Sequence, residues 1–480
     1  MNKEFMGLLD EEQAKCLTLY ELGLDFGNDV PITLNFVFEL KISEYKLGQL
    51  VEKLSQDLQS NIFDGSPKPE LLFYKGYILF KNISSLGLRQ LRCKYAQESV
   101  RFAIFDYLLV GKEHESKRHF IERSHISRSY FYRMSSEINR VLYNIFHFDK
   151  NSSELEVRET IFDVYYYFFN GIIFPFSEYL VNVKELLSQL RLIFLKQLSP
   201  TQIEQLRYIL AIQNIRIDSG KQFTLGIIND QNYYILEIKK ILEEIYQIND
   251  LRLSEETEFL VGSMMINEII RVNTQDFTSD FRIDITRMTK LEMQIVDDEV
   301  DISFNRVKLE KSFDMINFRA LFPFFNGSTF FDHKKTSFFH DVYPNIDAIA
   351  TKEIKFVLSK LERELLFENV NQIYYYFLFS LVDTIPANAF MDTVFITVDF
   401  SQGTLYTEYV KSRLMDLVSL NIVIDSTVFS RTDLYISDSY MANVYLPQVI
   451  LQDPVHDSDW KQLANQIMKI KRIKYRNNGA

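Results

Sequence analysis

The chain has 480 residues, 47 % of them hydrophobic, with 41 Phe and 27 Tyr against only 15 Gly and 10 Pro, which disfavours a turn-rich all-β protein and favours several mostly helical cores. Its only cysteines, Cys16 and Cys93, are too few and too distant for a disulfide framework or a cysteine zinc site, and no long uncharged apolar run suggests a signal peptide or a membrane span, so a cytoplasmic chain is expected. The net charge of −12 disfavours nucleic acid for the chain as a whole, yet residues 84–143 hold eleven basic against six acidic side chains, and a phosphate-binding face needs only local positive charge.

The first readable pattern begins at Pro31. Pro31 to Leu40 is expected to form a short helix, Lys41-Ile42 a turn, and Ser43 the N-cap of a helix reaching about Gln59. Leu47, Leu50, Val51, Leu54 and Leu58 recur every three or four residues and give that helix one apolar face. Leu71–Tyr74 and Tyr77–Phe80 flank Lys75-Gly76 as a β-hairpin does. The set reads as a winged helix-turn-helix of poor charge, with Lys46 as its candidate DNA contact, suited to assisting or dimerising.

A second helix-turn-helix is expected downstream. Its first helix runs from about Tyr95 to Val110 and is stopped at Gly111; its second is short, about Ser116 to Arg123, with Phe120 and Ile121 inward. Ser124, His125 and Ile126 make a tight connection, and Ser127 caps a third helix whose Phe131, Met134, Ile138 and Val141 face a core. The opposite side of its first turns carries Arg128, Ser129, Tyr132 and Arg133. A recognition helix needs that division: an apolar back and polar, cationic residues at the end that enters a major groove. Lys117, Arg118 and Arg123 stand where phosphate contacts are expected. Ile145–Phe148 and Leu155–Val157, around Asn151-Ser152-Ser153, are expected to form a two-stranded wing. His114, His119 and His125 fall in this segment without a thiolate or paired carboxylate, so no metal or other cofactor is expected.

The run Ile126-Ser127-Arg128-Ser129-Tyr130-Phe131-Tyr132-Arg133, with Ile138-Asn139-Arg140-Val141-Leu142, resembles the helix-turn-helix of the Mga/AtxA family of Gram-positive global virulence regulators. Leu198-Ser199-Pro200-Thr201-Gln202, with Leu206 to Ile212 and Ile215-Arg216-Ile217, is similar to that family's middle region. The resemblance implies a mainly α, multidomain chain: winged helix-turn-helix domains at 1–83 and 84–167, helical phosphotransferase-system (PTS) regulation domains at 168–282 and 283–390, and an α/β enzyme IIB-like domain at 391–480. It implies double-stranded DNA as ligand, a homodimer or higher oligomer, and PTS phosphocarriers as possible partners.

Residues 168–385 read as largely helical. Glu237-Ile238-Lys239 with Leu242 recurs as Glu353-Ile354-Lys355 with Leu358, each followed by a second apolar helix, at Phe259–Met265 and Tyr375–Leu381; this suggests a duplicated helical domain with a boundary near Arg282–Thr289. In such family domains histidines accept phosphate. The first repeat contains none, and Asp218-Ser219-Gly220-Lys221-Gln222 stands where one is expected; the second offers His333 and His340 as phosphorylation candidates.

At the C-terminal end, Thr393–Val398 reads as a buried strand, Ser401-Gln402-Gly403 as a turn, Thr404–Leu420 as a helix, Asn421–Asp425 and Leu434–Ser437 as further strands, and Trp460–Ile473 as a terminal helix. Strand–helix–strand with short links predicts a small parallel sheet. It resembles the enzyme IIB fold, where a cysteine after the first strand carries phosphate. No cysteine follows Cys93, and a serine such as Ser401 has no comparable thiolate population, so a non-catalytic interaction or dimerisation module is expected. The tail Lys469–Arg476 reads as a solvated basic helix end. Walker-type loops, His-Glu-x-x-His and Gly-x-Ser-x-Gly are missing, and the chain does not read as an enzyme. The competing classes are an RNA-binding antiterminator, disfavoured by the N-terminal trihelical pattern, and a phosphotransferase component, disfavoured by the missing cysteine.

Overall fold

Beyond a short 3-10 turn at Phe5–Leu8, helix α1 covers Glu11–Phe26 and strand β1 covers Asp29–Pro31. The computed structural model describes residues 5–26, 29–31, 43–59, 68–74, 76–111, 115–194, 197–221, 223–246, 248–301, 303–322, 339–340, 342–361, 367–386, 393–415, 421–451 and 457–478. These are mainly helical, with a small α/β region at the C-terminal end. The chain divides into two units, residues 1–278 with 322–329 and residues 279–321 with 330–480.

In the first unit, Ser43 accepts a hydrogen bond from the Lys46 amide and starts α2, Glu44–Leu58. The predicted stripe of Leu47, Leu50, Val51, Leu54 and Leu58 is buried. Strands β2 (Glu70–Tyr74) and β3 (Tyr77–Lys81) form the predicted hairpin, and β1 adds to it in the order β1-β3-β2. Gly23 of α1 lies under the Phe80 ring: a Cβ there would meet the ring at 2.6 Å, so only glycine lets the hairpin sit this close. The predicted helix Pro31–Leu40 and turn Lys41-Ile42 fall on residues 32–42, outside the described residues, while Pro31 itself ends a strand rather than starting a helix.

The spacing predicts one helix over Tyr95–Val110; the structure has two, α3 at Ser85–Glu98 and α4 at Val100–Leu109, hinged at Ser99. Ser99 is extended, and its hydroxyl accepts from the Phe102 amide at 3.2 Å. The Asp10 carboxylate accepts from the Val100 and Arg101 amides at 3.0 and 3.3 Å, so α4 is capped from the N-terminal segment. Helix α5 spans Lys117–Arg123 with Ser116 as N-cap, and α6 spans Arg128–Phe146 with Ser127 as N-cap, as predicted.

The wing predicted at 145–157 is not formed. Helix α6 continues through Ile145, and α7 occupies Glu154–Phe169. Ser153 and Glu156 close a capping box: the Glu156 amide donates to Ser153 Oγ at 3.3 Å and the Ser153 amide to Glu156 Oε2 at 2.5 Å. That local signal outweighs the apparent alternation of Leu155–Val157. The unit is completed by α8 (Leu180–Leu190), α9 (Pro200–Asp218), α10 (Tyr233–Ile245) and α11 (Asp250–Ile266).

In the second unit, α12 (Ser279–Glu299), α13 (Arg306–Leu321), α14 (Pro344–Lys360) and α15 (Phe367–Thr384) pack together. The boundary expected near Arg282–Thr289 falls inside α12, and the units instead part between Thr278 and Ser279. The repeated motifs occupy matching hairpins, α10 with α11 and α14 with α15. Four parallel strands follow: β4 (Val394–Val398), β5 (Ile422–Asp425), β6 (Leu434–Ser437) and β7 (Gln448–Ile450), in the order β5-β4-β6-β7. The sequence reading missed β7. Helix α16 covers Thr404–Met415, short of the predicted Leu420, since 416–420 lie outside the described residues; α17 covers Asp457–Asn478, longer than predicted. Val394, Ile396, Val398, Ile436, Leu463 and Ile467 form the core of this α/β part. Among the described residues no helix is long and apolar enough to cross a membrane.

Candidate nucleic-acid interface

Helices α4, α5 and α6 meet in an aromatic core. Phe120 stacks on Tyr107 with ring centroids 4.4 Å apart and meets Phe131 edge-on at 5.8 Å. The α5–α6 turn is closed by the Ile126 amide donating to the Ile121 carbonyl at 3.3 Å, with His125 left-handed at φ 51°. The Ser127 hydroxyl accepts from the Tyr130 amide at 3.1 Å and fixes the start of α6.

From that cap the residues separate by face. Phe131, Met134, Ile138, Leu142 and Ile145 are buried, and Val141 is half-buried. Ser127, Arg128, Ser129, Tyr132 and Arg133 are exposed, followed down the helix by Asn139 and Arg140. Neither Arg128 nor Arg133 is ion-paired among the described residues; Arg133 rests over the Tyr130 ring at 5.5 Å. Lys117 Nζ lies 5.0 Å from the centroid of Tyr132, so the first turn of α5 and the first turns of α6 present one cationic surface. Lys46 is exposed on the first turn of α2, a separate helix.

The remaining α5 cations carry partners that the sequence reading did not anticipate. Arg118 Nε bonds Glu122 Oε1 at 2.8 Å. Arg123 makes a two-pronged contact with Glu115, at 3.1 and 3.0 Å, and His119 Nδ1 meets the same carboxylate at 2.5 Å. The Arg123 hydrogen bond, with His119 behind it, holds the Glu115 carboxyl below its ordinary range. Pairs this exposed contribute little to stability, so a phosphate can displace the carboxylate. The spacing of Glu115 and Arg123, eight residues across a helix start, has no simple periodic signature.

Two phosphate-related expectations also have geometry. His340 is exposed, with Nδ1 2.8 Å from Asp347 Oδ2, and the other Asp347 oxygen accepts from the Tyr374 hydroxyl. His333 lies outside the described residues. In the loop after β4, the Ser401 amide donates to both oxygens of Asp438 at 3.1 and 3.2 Å, and the Ser401 hydroxyl donates to the same carboxylate. These bonds hold Asp438 below the usual carboxylate range. The Asp438 carboxylate thus takes up both the amide and the hydroxyl of Ser401 in this loop.

Among the described residues no three His, Cys, Asp or Glu side chains are grouped as a metal site. No protein-family model matches the chain, and no curated protein matches it.

Proposed function

We propose that this chain is a DNA-binding transcription regulator that reads double-stranded DNA through α5 and α6 of its second trihelical segment. One observation carries the reading: Arg128, Ser129, Tyr132 and Arg133 stand exposed on one face of a helix whose other face is apolar and buried, with Lys117 beside them. A helix so divided presents guanidinium forks to base edges while its back stays packed. Lys117, Arg118 and Arg123 serve phosphates, and Lys46 assists from the first segment.

The resemblance to the Mga/AtxA regulators supports the rest of the reading: two N-terminal DNA-binding segments, two PTS regulation domains, an enzyme IIB-like end, and a cytoplasmic homodimer modulated through phosphocarriers. The carboxylate seated on Ser401 supports a non-catalytic role for the last domain, because an incoming phosphoryl group would meet negative charge there. The deciding experiment is a gel-shift and footprinting series at two salt concentrations with Arg128→Ala/Arg133→Ala. Each lost bidentate contact costs about 1–3 kcal/mol, so the pair weakens specific binding well over tenfold. Binding unchanged by the double substitution removes α6 as the reader.

A further inference from the structure

Buried polar groups of the second unit include Glu292 of α12, Asn317 of α13 and Glu353 of α14, a cluster closed within the helices, where Asn317 Nδ2 donates to Glu292 Oε2 at 2.7 Å. A different one joins the helices to the α/β part. The basic end of α17 is expected to be solvated, yet Lys471 is 1 % exposed, and its Nζ donates to the Val342 carbonyl at 2.8 Å. Lys471 continues the stripe of Leu463 and Ile467 at four-residue spacing, on the face of α17 that packs into the α/β core. A buried ammonium is tolerated only where acceptors meet it, so the Val342 carbonyl is fixed by a charge as well as by packing.

Val342 is itself part of that core. Its side chain, 2 % exposed, lies with Val394, Ile396, Leu463 and Ile467, and Tyr343 packs against the same cluster. Phe339, by contrast, faces the helices and meets Tyr375 and Phe379 of α15 edge-on, with ring centroids 5.6 and 5.5 Å apart. The Tyr343 amide donates to the Phe339 carbonyl at 2.8 Å and the Asp347 amide to the Tyr343 carbonyl at 2.8 Å, which leads these residues into the first turn of α14. His340 stands between the two anchorages, exposed, with Nδ1 on Asp347.

We propose that this joint couples the charge on His340 to the packing of the α/β part, with Lys471 as the positioning residue that transmits it. The inference rests on the reading of His340 as a phosphoacceptor. A neutral ring that donates to the Asp347 carboxylate carries its proton on Nδ1 and keeps the lone pair on Nε2. Phosphoryl transfer to Nε2 forms an N–P bond and leaves an imidazolium whose Nδ1 proton Asp347 still holds. Once that proton passes to water, the Nδ1 lone pair faces the carboxylate and the hydrogen bond is gone. A group of about two negative charges then also stands near Asp347. The segment ahead of α14 shifts away from Asp347. Because Val342 is seated in the α/β core with its carbonyl on Lys471, the shift reaches β4 and α17. Close-packed cores answer such a shift by repacking rather than by smooth deformation.

The test uses the full chain and phosphoramidate, a small phosphoryl donor that needs no protein partner: its P–N bond breaks and ammonia leaves. Labelled histidines are mapped by mass spectrometry, and backbone amide exchange is followed at β4 and α17. Phosphorylation of His340 is expected to speed exchange there about tenfold and to leave α10 and α11 of the first unit unchanged. His340→Gln, treated identically, is expected to show no change. Lys471→Met is expected to raise exchange at β4 and α17 before phosphorylation and to cut the effect of phosphorylation below about threefold, since the two act through one contact. Val342→Ala is a milder change that should give the same non-additivity in smaller measure, and it carries the test if Lys471→Met does not fold. The proposal is overturned if His340 is phosphorylated and exchange at β4 and α17 stays as it was. It is equally overturned if the effects of phosphorylation and of these substitutions simply multiply, as they would for a lysine that only stabilises the fold. A chain that takes no phosphoryl group on His340 overturns the phosphoacceptor reading, and the coupling with it.

Discussion

Arg216 reaches the last residue of α4: its Nη1 donates to the Leu109 carbonyl at 3.2 Å. The same guanidinium clamps Glu154 of α7 at 2.8 and 2.6 Å, and Glu154 also accepts from Arg158 at 3.0 Å. Arg158 continues to Glu256 of α11, with the Phe223 and Phe259 rings each 4.6 Å from its guanidinium carbon. Within the first unit, a buried line of alternating charge thus joins the end of α4, just before α5, to α7, α9 and α11. Arg216 supplies a donor and a positive charge where a helix C-terminus has neither.

Arg158→Met tests that line. It leaves Glu256 buried and without its cation, and removing one partner of a buried pair costs about 3–5 kcal/mol. Urea unfolding should register the loss. The double variant Arg158→Met/Glu256→Leu removes both charges and should regain most of it, giving a large coupling energy in a double-mutant cycle. A single variant as stable as the parent would show that the pair contributes nothing net.

Glu115→Gln addresses the α5 surface. It releases Arg123 and His119 from their shared carboxylate and removes a negative charge near the expected phosphates. DNA binding should tighten a few-fold at low salt, and the plot of log K against log salt should steepen by up to about 0.9 for one additional phosphate contact. An unchanged slope would mean that Arg123 does not meet the backbone.

The parts of this surface that the sequence discloses are those fixed by local rules. Ser116, Ser127 and Ser43 each cap the helix that follows, and Phe131, Met134 and Ile138 mark the inner face of α6 by spacing alone. The break at Ser99 is not legible in the sequence, because the Val100 and Arg101 amides that follow it are met by Asp10, distant in sequence. The false wing had a readable antidote in Ser153 and Glu156, a capping box that should have outweighed a three-residue alternation. Glu115 and the Glu292–Asn317–Glu353 cluster were invisible for another reason: each depends on side chains from elements whose relative placement no periodicity encodes.

In the proposed PTS control, His340 is the candidate phosphoacceptor. Asp347 holds its Nδ1 side, which orients the ring and leaves Nε2 as the nucleophilic nitrogen toward solvent. Incubation with labelled phosphoenolpyruvate and the general phosphocarriers should place acid-labile label on the second unit. His340→Ala should remove it, and Asp347→Asn should slow labelling while preserving the fold. Label that survives His340→Ala would redirect the assignment, first to His333.

Glu292 and Glu353 predict the direction in which stability follows pH. Both carboxyls have an ordinary value of 4.5, and in the folded chain they rise to about 8 and about 10. Between those values and 4.5 the folded state holds more protons than the unfolded chain, so stability falls as pH rises through that window and is fully present below it. Glu353→Gln is neutral throughout. Its Tm should therefore decline less than the parent's between about pH 6 and 9, and should exceed the parent's at the alkaline end by about 2–4 °C for each kcal/mol of relieved burial cost. Parallel curves for the two proteins would place the Glu353 carboxyl in contact with solvent or a donor.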